Sequence, residues 1–323
     1  MQRKSFLRLL AASAASLALP PVNAQSDYPN RPIKVVVPFA PGGATDQVAR
    51  LLAIRLAKQM NVPVIVENRA GANGNLGAEL VARAAPDGYT ILHNTSSIAF
   101  TAAFAQKVSY DLAADLTPVA ALVNQPLLVV AGPSMPANTL NEMLAWARQN
   151  PGKLNYASSG NGNISHLVMY VLLQKAGISG AHVPYKGGAA AFPDVMSGQV
   201  HLLADPVNSA APFVRDRRVR AIATTGRSRT PLFPDVQAVA EVMPEVVAGA
   251  WQGAMVPAKT PRPIVERLSA EYAKALQEPA LRDKLHADGA EPLGFTPEQY
   301  AAFLKEEIDR WSKIVRSSGI KLD

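Results

Sequence analysis

No cysteine occurs among the 323 residues. That absence excludes disulfides, thiolate catalysis, cysteine-based zinc sites and a lipidated N-terminal cysteine. Long apolar runs are missing too. No segment beyond the N-terminus approaches the roughly 18 consecutive apolar residues that a membrane span requires, so a soluble product is expected. Nucleotide patterns fail as well: a P-loop needs G-x-x-x-x-G-K-S/T and a Rossmann turn needs G-x-G-x-x-G, and the glycine-rich stretches match neither. His93, His166, His182, His201 and His286 are scattered with no H-E-x-x-H or comparable spacing. Neither a metal nor a cofactor is expected. Arg217, Arg218, Arg220, Arg227 and Arg229 make a basic stretch with no interleaved aromatic residues, which reads as solvated surface rather than a nucleic-acid site.

What is present begins with an export signal. "MQRKSFLRLL" carries Arg3, Lys4 and Arg8, the small apolar run "LLAASAASLALP" follows, and Val22 and Ala24 occupy the small-residue positions of a signal-peptidase site. Residues 1–24 are expected to be a signal peptide cleaved near Ala24, placing the mature chain in the periplasm. The second arginine of a twin-arginine signal is missing, which favours ordinary secretion. Cleavage lowers the formal charge from +7 to +4, a balance that attracts anionic small molecules.

The remaining chain is long enough for two domains of ordinary size. Short β-branched or apolar runs at 33–38, 64–67, 90–93, 126–132, 154–158, 182–185, 200–204 and 219–225 alternate with helical periodicity at 44–60, 76–85, 139–149, 164–176, 189–197 and 209–216. This alternation predicts an α/β fold with mostly parallel sheets. The C-terminal third is helical, and Tyr300, Phe303, Leu304, Ile308, Trp311, Ile314 and Val315 share one face. Thr296 suits an N-cap and Gly319 a helix stop. Such helices should return to cover the first sheet, making that domain discontinuous. The proline-bearing stretches near 126–136 and 231–257 are the expected crossings, giving domains of 27–125 plus 249–323 and of 126–248.

Four strand–turn–helix junctions share one chemistry: "PFAPGGATD" (38–46), "NRAGANGNLGAE" (68–79), "ASSGNGNISH" (157–166) and "VPYKGGAAA" (183–191). Glycine lets backbone approach a ligand closely, and first-turn N–H groups have no helical partner and sit at the positive dipole end. In an open α/β sheet such turns gather beyond the carboxyl ends of the strands. With nucleotides set aside, a carboxylate is the anion that fits. Asp46 reads as a first-turn acid favoured by the dipole, or as a partner for a ligand amine, hydroxyl or bound water. A hydrolase reading draws on Ser158, Ser159, His166 and Asp205, but "SSGNG" is not the G-x-S-x-G elbow. His166 falls inside a helix, where it suits capping or packing better than base catalysis. Phe39, Phe192 and Phe213 are candidates for stacking on an aromatic ligand, with core packing the alternative.

At these same junctions the chain resembles the Bug family, the extracytoplasmic receptors of tripartite tricarboxylate transporters. The resemblance rests on "YPNRPIKVVVPFAPGGATDQVARLLA", "VENRAGANGNLGAELVARAAPDGYTIL", "ASSGNGNISHL", "HVPYKGGAA" and "VRAIATTGRSRTPLFPDV". It implies two α/β domains hinged around a cleft, in the type II periplasmic-binding-protein arrangement. It also implies a carboxylate held by backbone N–H groups, hydroxyls and ordered water, without an arginine clamp. Carried over by position, Phe39, Gly42, Gly43 and Asp46 would face the ligand, with Thr95 and Ser96 from "HNTSS". The second domain would add Ser158, Ser159, Asn163, Ser165 and His166, then Tyr185, Lys186 and Gly187, and Asp205. Relatives often carry Phe-Asp where this chain has Ala204 before Asp205, which implies a wider cleft wall here.

The expected function is capture of a small mono- or dicarboxylate, aromatic acids included, and its delivery to integral-membrane transporter subunits. A monomer without enzymatic activity is expected. The alternatives are a sensor subunit that presents ligand to a membrane signalling protein, and a secreted hydrolase dependent on Ser159, His166 or Asp205.

Overall fold

The structure, a computed structural model, describes residues 28–318. The signal peptide, its cleavage site and the Gly319 stop lie outside the described residues.

The first four strands are β1 (Ile33–Val37), β2 (Val64–Asn68), β3 (Thr90–Thr95) and β4 (Leu116–Ala131), separated by α1 (Ala44–Met60), α2 (Asn75–Ala82), α3 (Ser97–Ala103) and the single turn α4 (Leu112–Asp115). The chain continues through α5 (Leu140–Gln149), β5 (Asn155–Ser158), α6 (Ile164–Lys175), β6 (Ala181–Pro184), α7 (Gly188–Ser197), β7 (Leu202–Pro206), α8 (Val207–Arg215) and β8 (Arg220–Thr224). It ends with β9 (Gly249–Pro257), α9 (Arg262–Gln277), α10 (Pro279–Ala287), β10 (Glu291–Phe295) and α11 (Pro297–Ser318). The helical stretch expected near 261–290 is broken at Glu278, whose extended backbone precedes Pro279, because proline restricts the residue before it to extended conformations.

Two sheets share one strand. The first sheet runs β2-β1-β3-β9-β4-β10 and the second β6-β5-β7-β4-β8. Strand β4 pairs with β9 from Leu116 to Pro126 and with β7 from Leu127 to Ala131. The changeover coincides with Pro126, which has no N–H to offer a neighbour. The chain returns to the first sheet at Gly249. The expectation of mostly parallel strands needs correction. Strands β1–β2, β1–β3, β5–β6 and β5–β7 pair in parallel, but β4, β9 and β10 make antiparallel pairs. Each sheet receives one strand arriving from the other lobe, β9 between β3 and β4 and β4 between β7 and β8, and arrival from the far side reverses its direction.

Helices cover both faces of each sheet. Along β4, Leu127, Val129 and Ala131 enter one second-lobe core and Leu128 and Val130 the opposite one, the two-residue alternation of a strand buried on both faces. Likewise Ile33 and Val35 pack beneath α1 and α9, and Val36 beneath α2. A buried polar row crosses the first sheet near the changeover: His93 Nε2 lies 2.7 Å from Gln252 Oε1, and Gln252 Nε2 donates to Gln125 Oε1 at 2.9 Å. Burial holds the His93 pKa down at about 4, against the opposing bond to Gln252.

The C-terminal helix does more than return to the first sheet. Tyr300 and Leu304 of α11 pack in a first-lobe core, whereas Trp311 is buried in a cluster with Leu127, Val168 and Leu202 of the second lobe. The Trp311 ring meets Phe100 edge-on at 5.1 Å. Replacing Trp311 with alanine is therefore expected to cost about 3–5 kcal/mol of unfolding free energy, read as a lower urea midpoint.

Candidate functional site

The four junctions meet. Asn68 of the second junction donates to Asp46 Oδ1 of the first at 2.9 Å and to the Phe39 carbonyl at 3.0 Å. Asn73, in a 3-10 turn that opens α2, accepts from Asn163 Nδ2 of the third junction at 3.3 Å. Within the second lobe, Gly187 N–H donates to the Ser159 carbonyl at 3.1 Å and Ser159 Oγ to Asp205 Oδ1 at the same distance. Ser209 Oγ donates to the other Asp205 oxygen. Asn208 Nδ2 then reaches Gln47 Oε1 at 3.3 Å, closing the circuit onto the first junction. The result is a ring of helix starts drawn from both lobes.

Each start has a local cause. Gly42 adopts φ +84°, a left-handed conformation that side-chain-bearing residues rarely take, and its N–H donates to Asp46 Oδ2 at 2.9 Å. Asp46 also receives Arg50 Nε at 2.9 Å. Burial alone would raise the Asp46 pKa, but the bonds from Arg50, Gly42 and Asn68 hold it below the ordinary carboxylate value. Both Asp46 oxygens are thus committed to shaping the loop, and Arg50 is committed to Asp46. Gly43 is the N-cap residue of α1. Helices α1, α2, α7 and α8 begin without a side-chain cap, so their first-turn donors stay available to a ligand. Away from the ring, Thr139 caps α5.

In the third junction the loop is braced from beneath. Ser159 N–H donates to Ser165 Oγ at 2.8 Å, Gly160 N–H to Ser158 Oγ at 3.2 Å and Gly162 N–H to His166 Nδ1 at 3.1 Å. Asn163 caps α6 by accepting from Ser165 N–H at 3.2 Å. His166 stacks on His182 with centroids 3.6 Å apart and planes 3° from parallel. Burial, with His182 alongside, holds His166 down at about 3, and burial holds His182 at about 4. Ser158 Oγ lies 2.6 Å from His182 Nε2, but Ser158 is wholly buried, so no substrate carbonyl reaches it in this conformation. Ser159 faces Asp205 rather than a histidine.

In the fourth junction, Tyr185 OH donates to Asp194 Oδ2 at 2.5 Å, and its pKa is pushed up to about 12 by burial and that bond. Lys186 is exposed beside it. A Cβ on Gly188 would lie 2.0 Å from Asp205 Oδ1, so only glycine admits that carboxylate beneath α7. Burial raises Asp205 to about 6 despite the hydroxyl bonds from Ser209 and Ser159. The expected wider wall at Ala204 is corrected: strand alternation turns Ala204 away from Asp205 into the core with Leu167 and Leu202.

Thr95 and Ser96 are buried at the end of β3. Thr95 lies on a small pocket, with room for about one water, beneath the second junction with Pro38, Gly74, Asn75, Asn94 and Tyr110. Phe39 is half-buried near Gly74, whereas Phe192 and Phe213 stack on each other in the core at 4.1 Å. The sequence reading missed Gln47, Asn73, Asn208, Ser209, His182 and Gly188. A doubled glycine in "YKGG" was the one available signal, for Gly188. Substituting Asp46 with asparagine should cost about 2 kcal/mol by urea denaturation, the scale of a hydrogen bond to a charged group. Because the native pKa is depressed, this contribution is complete above the unfolded pKa and drains as pH falls through the native one.

A family model described as tripartite tricarboxylate transporter family receptor matches residues 48–320. Protein BugT of Bordetella pertussis is 35% identical over 305 residues, covering 94% of this chain and 93% of BugT. An R. palustris protein solved with adipate superposes with a TM-score of 0.86 at 33% identity, covering 91% of this chain and 99% of that one. MatC from Rhodopseudomonas palustris with bound malate gives 0.82 at 35% identity, covering 89% and 100%. The periplasmic binding protein BugD gives 0.84 at 32% identity, covering 91% and 99%. The α/β architecture is thus that of two-domain periplasmic binding proteins, and the chain belongs to the tripartite tricarboxylate transporter receptor family.

Proposed function

We propose that this receptor captures a small mono- or dicarboxylate, aromatic acids included, between its two lobes and delivers it in the periplasm to integral-membrane transporter subunits. The observation that carries the reading is the ring of helix starts contributed by both sheets, in which α1, α2, α7 and α8 lack a side-chain cap. Its neutral amides and hydroxyls suit an anion, and its two carboxylates, Asp46 and Asp205, are already engaged by internal donors. The lobes adopted here follow the expected division, 27–125 with 249–323 against 126–248. Phe39, Gly42, Gly43, Thr95, Ser96, Ser159, Asn163, Lys186 and Gly187 line or shape the binding surface. Asp46, Ser158, Ser165, His166 and Tyr185 brace it from within. Adipate and malate, the acids in the two solved relatives, are the first ligands to test. Closure follows from mass action, since only the closed form makes both sets of contacts.

A thermal-shift screen of adipate, malate and benzoate against glucose and a cationic amine tests this. At a hundredfold excess over Kd, a true ligand raises the unfolding free energy by about 2.7 kcal/mol and the midpoint by about 5 °C. Stabilisation by glucose or the amine alone would refute the carboxylate reading. Recovery of the acid unchanged by mass spectrometry is expected, and turnover would refute the receptor reading.

Binding should also respond to pH through Asp205. Its charge is present above about pH 6 and absent below, whereas His166 and His182 stay neutral until about 3 and 4. Lowering the pH from about 7.5 to about 5.5 removes a negative charge near an anionic ligand, so malate affinity should rise about three- to tenfold. The Asp205→Asn variant should show a flat profile by calorimetry.

A further inference from the structure

Side-chain hydrogen bonds join the lobes at Asn163 to Asn73 and at Asn208 to Gln47, each at 3.3 Å. We propose that these four residues form a two-point amide latch, and that Gln47 and Asn73 are positioning residues that retain ligand by holding the lobes together without touching it. The inference rests on the receptor reading of the same site.

Gln47 and Asn163 divide their two amide ends between home and partner, while the free end of Asn208, Oδ1, is buried without a partner among the described residues. Gln47 donates through Nε2 to the Gly42 carbonyl at 3.1 Å and offers Oε1 across the cleft. Asn163 spends Oδ1 on the first turn of α6 and offers Nδ2. Donor thus meets acceptor at both points. Asn73 is presented by left-handed backbone, φ 53°, at the bend before α2, a conformation asparagine tolerates better than most residues. Asn208 lies in the first turn of α8, two residues from the strand end that carries Asp205 and Pro206.

Charge is absent from the latch. Among the described residues every ion pair lies within one lobe or on α11. The latch bonds themselves carry no charge for salt to screen and no group that titrates between acidic and neutral pH. Gln47 also ties closure to the glycine loop, because the carbonyl it holds belongs to Gly42. A latch of this kind raises the closed fraction, and apparent affinity rises in proportion.

The cysteine-free chain permits a direct test. The pairs Asn73→Cys with Asn163→Cys and Gln47→Cys with Asn208→Cys lie too far apart at Cβ for a direct disulfide, but each should be bridged by a short bis-maleimide cross-linker, faster when malate or adipate is present. Separately, Asn73→Gly, which keeps the left-handed backbone accessible, and Asn208→Ala should each speed dissociation of whichever of these acids binds by about three- to tenfold. Association rates should stay within about twofold, and the ligand-free melting temperature within about 1 °C. Unchanged dissociation rates, or failure of both cysteine pairs to cross-link, would overturn the latch. Cross-linking in ligand-free protein needs no acid, so a failure to find a ligand and a failure of the latch are told apart.

Discussion

Strand β4 belongs to two sheets at once, and the rest of the molecule is arranged around that sharing. Its first eleven residues pair in one lobe and its last five in the other, with Pro126 at the point where a donor would have no neighbour. Strand β9 returns beside it, so each lobe accepts a strand that enters from the far side and runs against its own. Because the remaining strands of each lobe keep their parallel sense, their carboxyl ends and the helix starts that follow are delivered to a common seam. The row His93, Gln252 and Gln125 lies across the three strands nearest this changeover. Buried polar groups cost more than apolar ones unless paired, and the row pairs these three side chains with one another while His93 Nδ1 and Gln125 Nε2 have no partner among the described residues.

The electrostatics of the seam follow from the same economy of charge. An arginine clamp would bind a carboxylate strongly, but the arginine in the ring is held by Asp46, and Asp46 is held by the loop it organises. Apart from Lys186, what faces the seam is a set of neutral dipoles, braced by Ser165, His166 and Ser158 beneath the third junction and by Asn68 with Asp46 beneath the first. Preorganised dipoles need little rearrangement on binding. A receptor built this way is adapted by changing water and side-chain contacts rather than by moving a charge.

Much of this was legible in the sequence, for reasons that can be named. Strand–turn–helix junctions are local, so glycine doublets and β-branched runs placed β1, α1, β5 and α6 within a residue or two. The family motifs lie at those junctions, which is why fold and family followed from them. The antiparallel strands were not legible. "GAWQGAMVP" and "EPLGF" are short, glycine-bearing and ordinary in composition, and their pairing is decided by segments more than a hundred residues away. The partners of Ser158 and Ser159 were hidden for the same reason. His182 and Asp205 become their neighbours only when β6 and β7 flank β5. Gln47, Asn73 and Asn208 carried no signal, since an amide on a helix turn reads as solvated surface until a second lobe is brought against it.

The course of α11 has a mechanical consequence. Tyr300 pins its early turns to the first lobe, and Trp311, about three turns on, packs against Phe100 in the cluster where first-lobe and second-lobe residues meet. A rod gripped at both stations resists being pulled apart but tolerates twisting. Swivel about a line close to α11 is therefore the cheapest way to part the halves, and the rim farthest from that line sweeps the greatest arc.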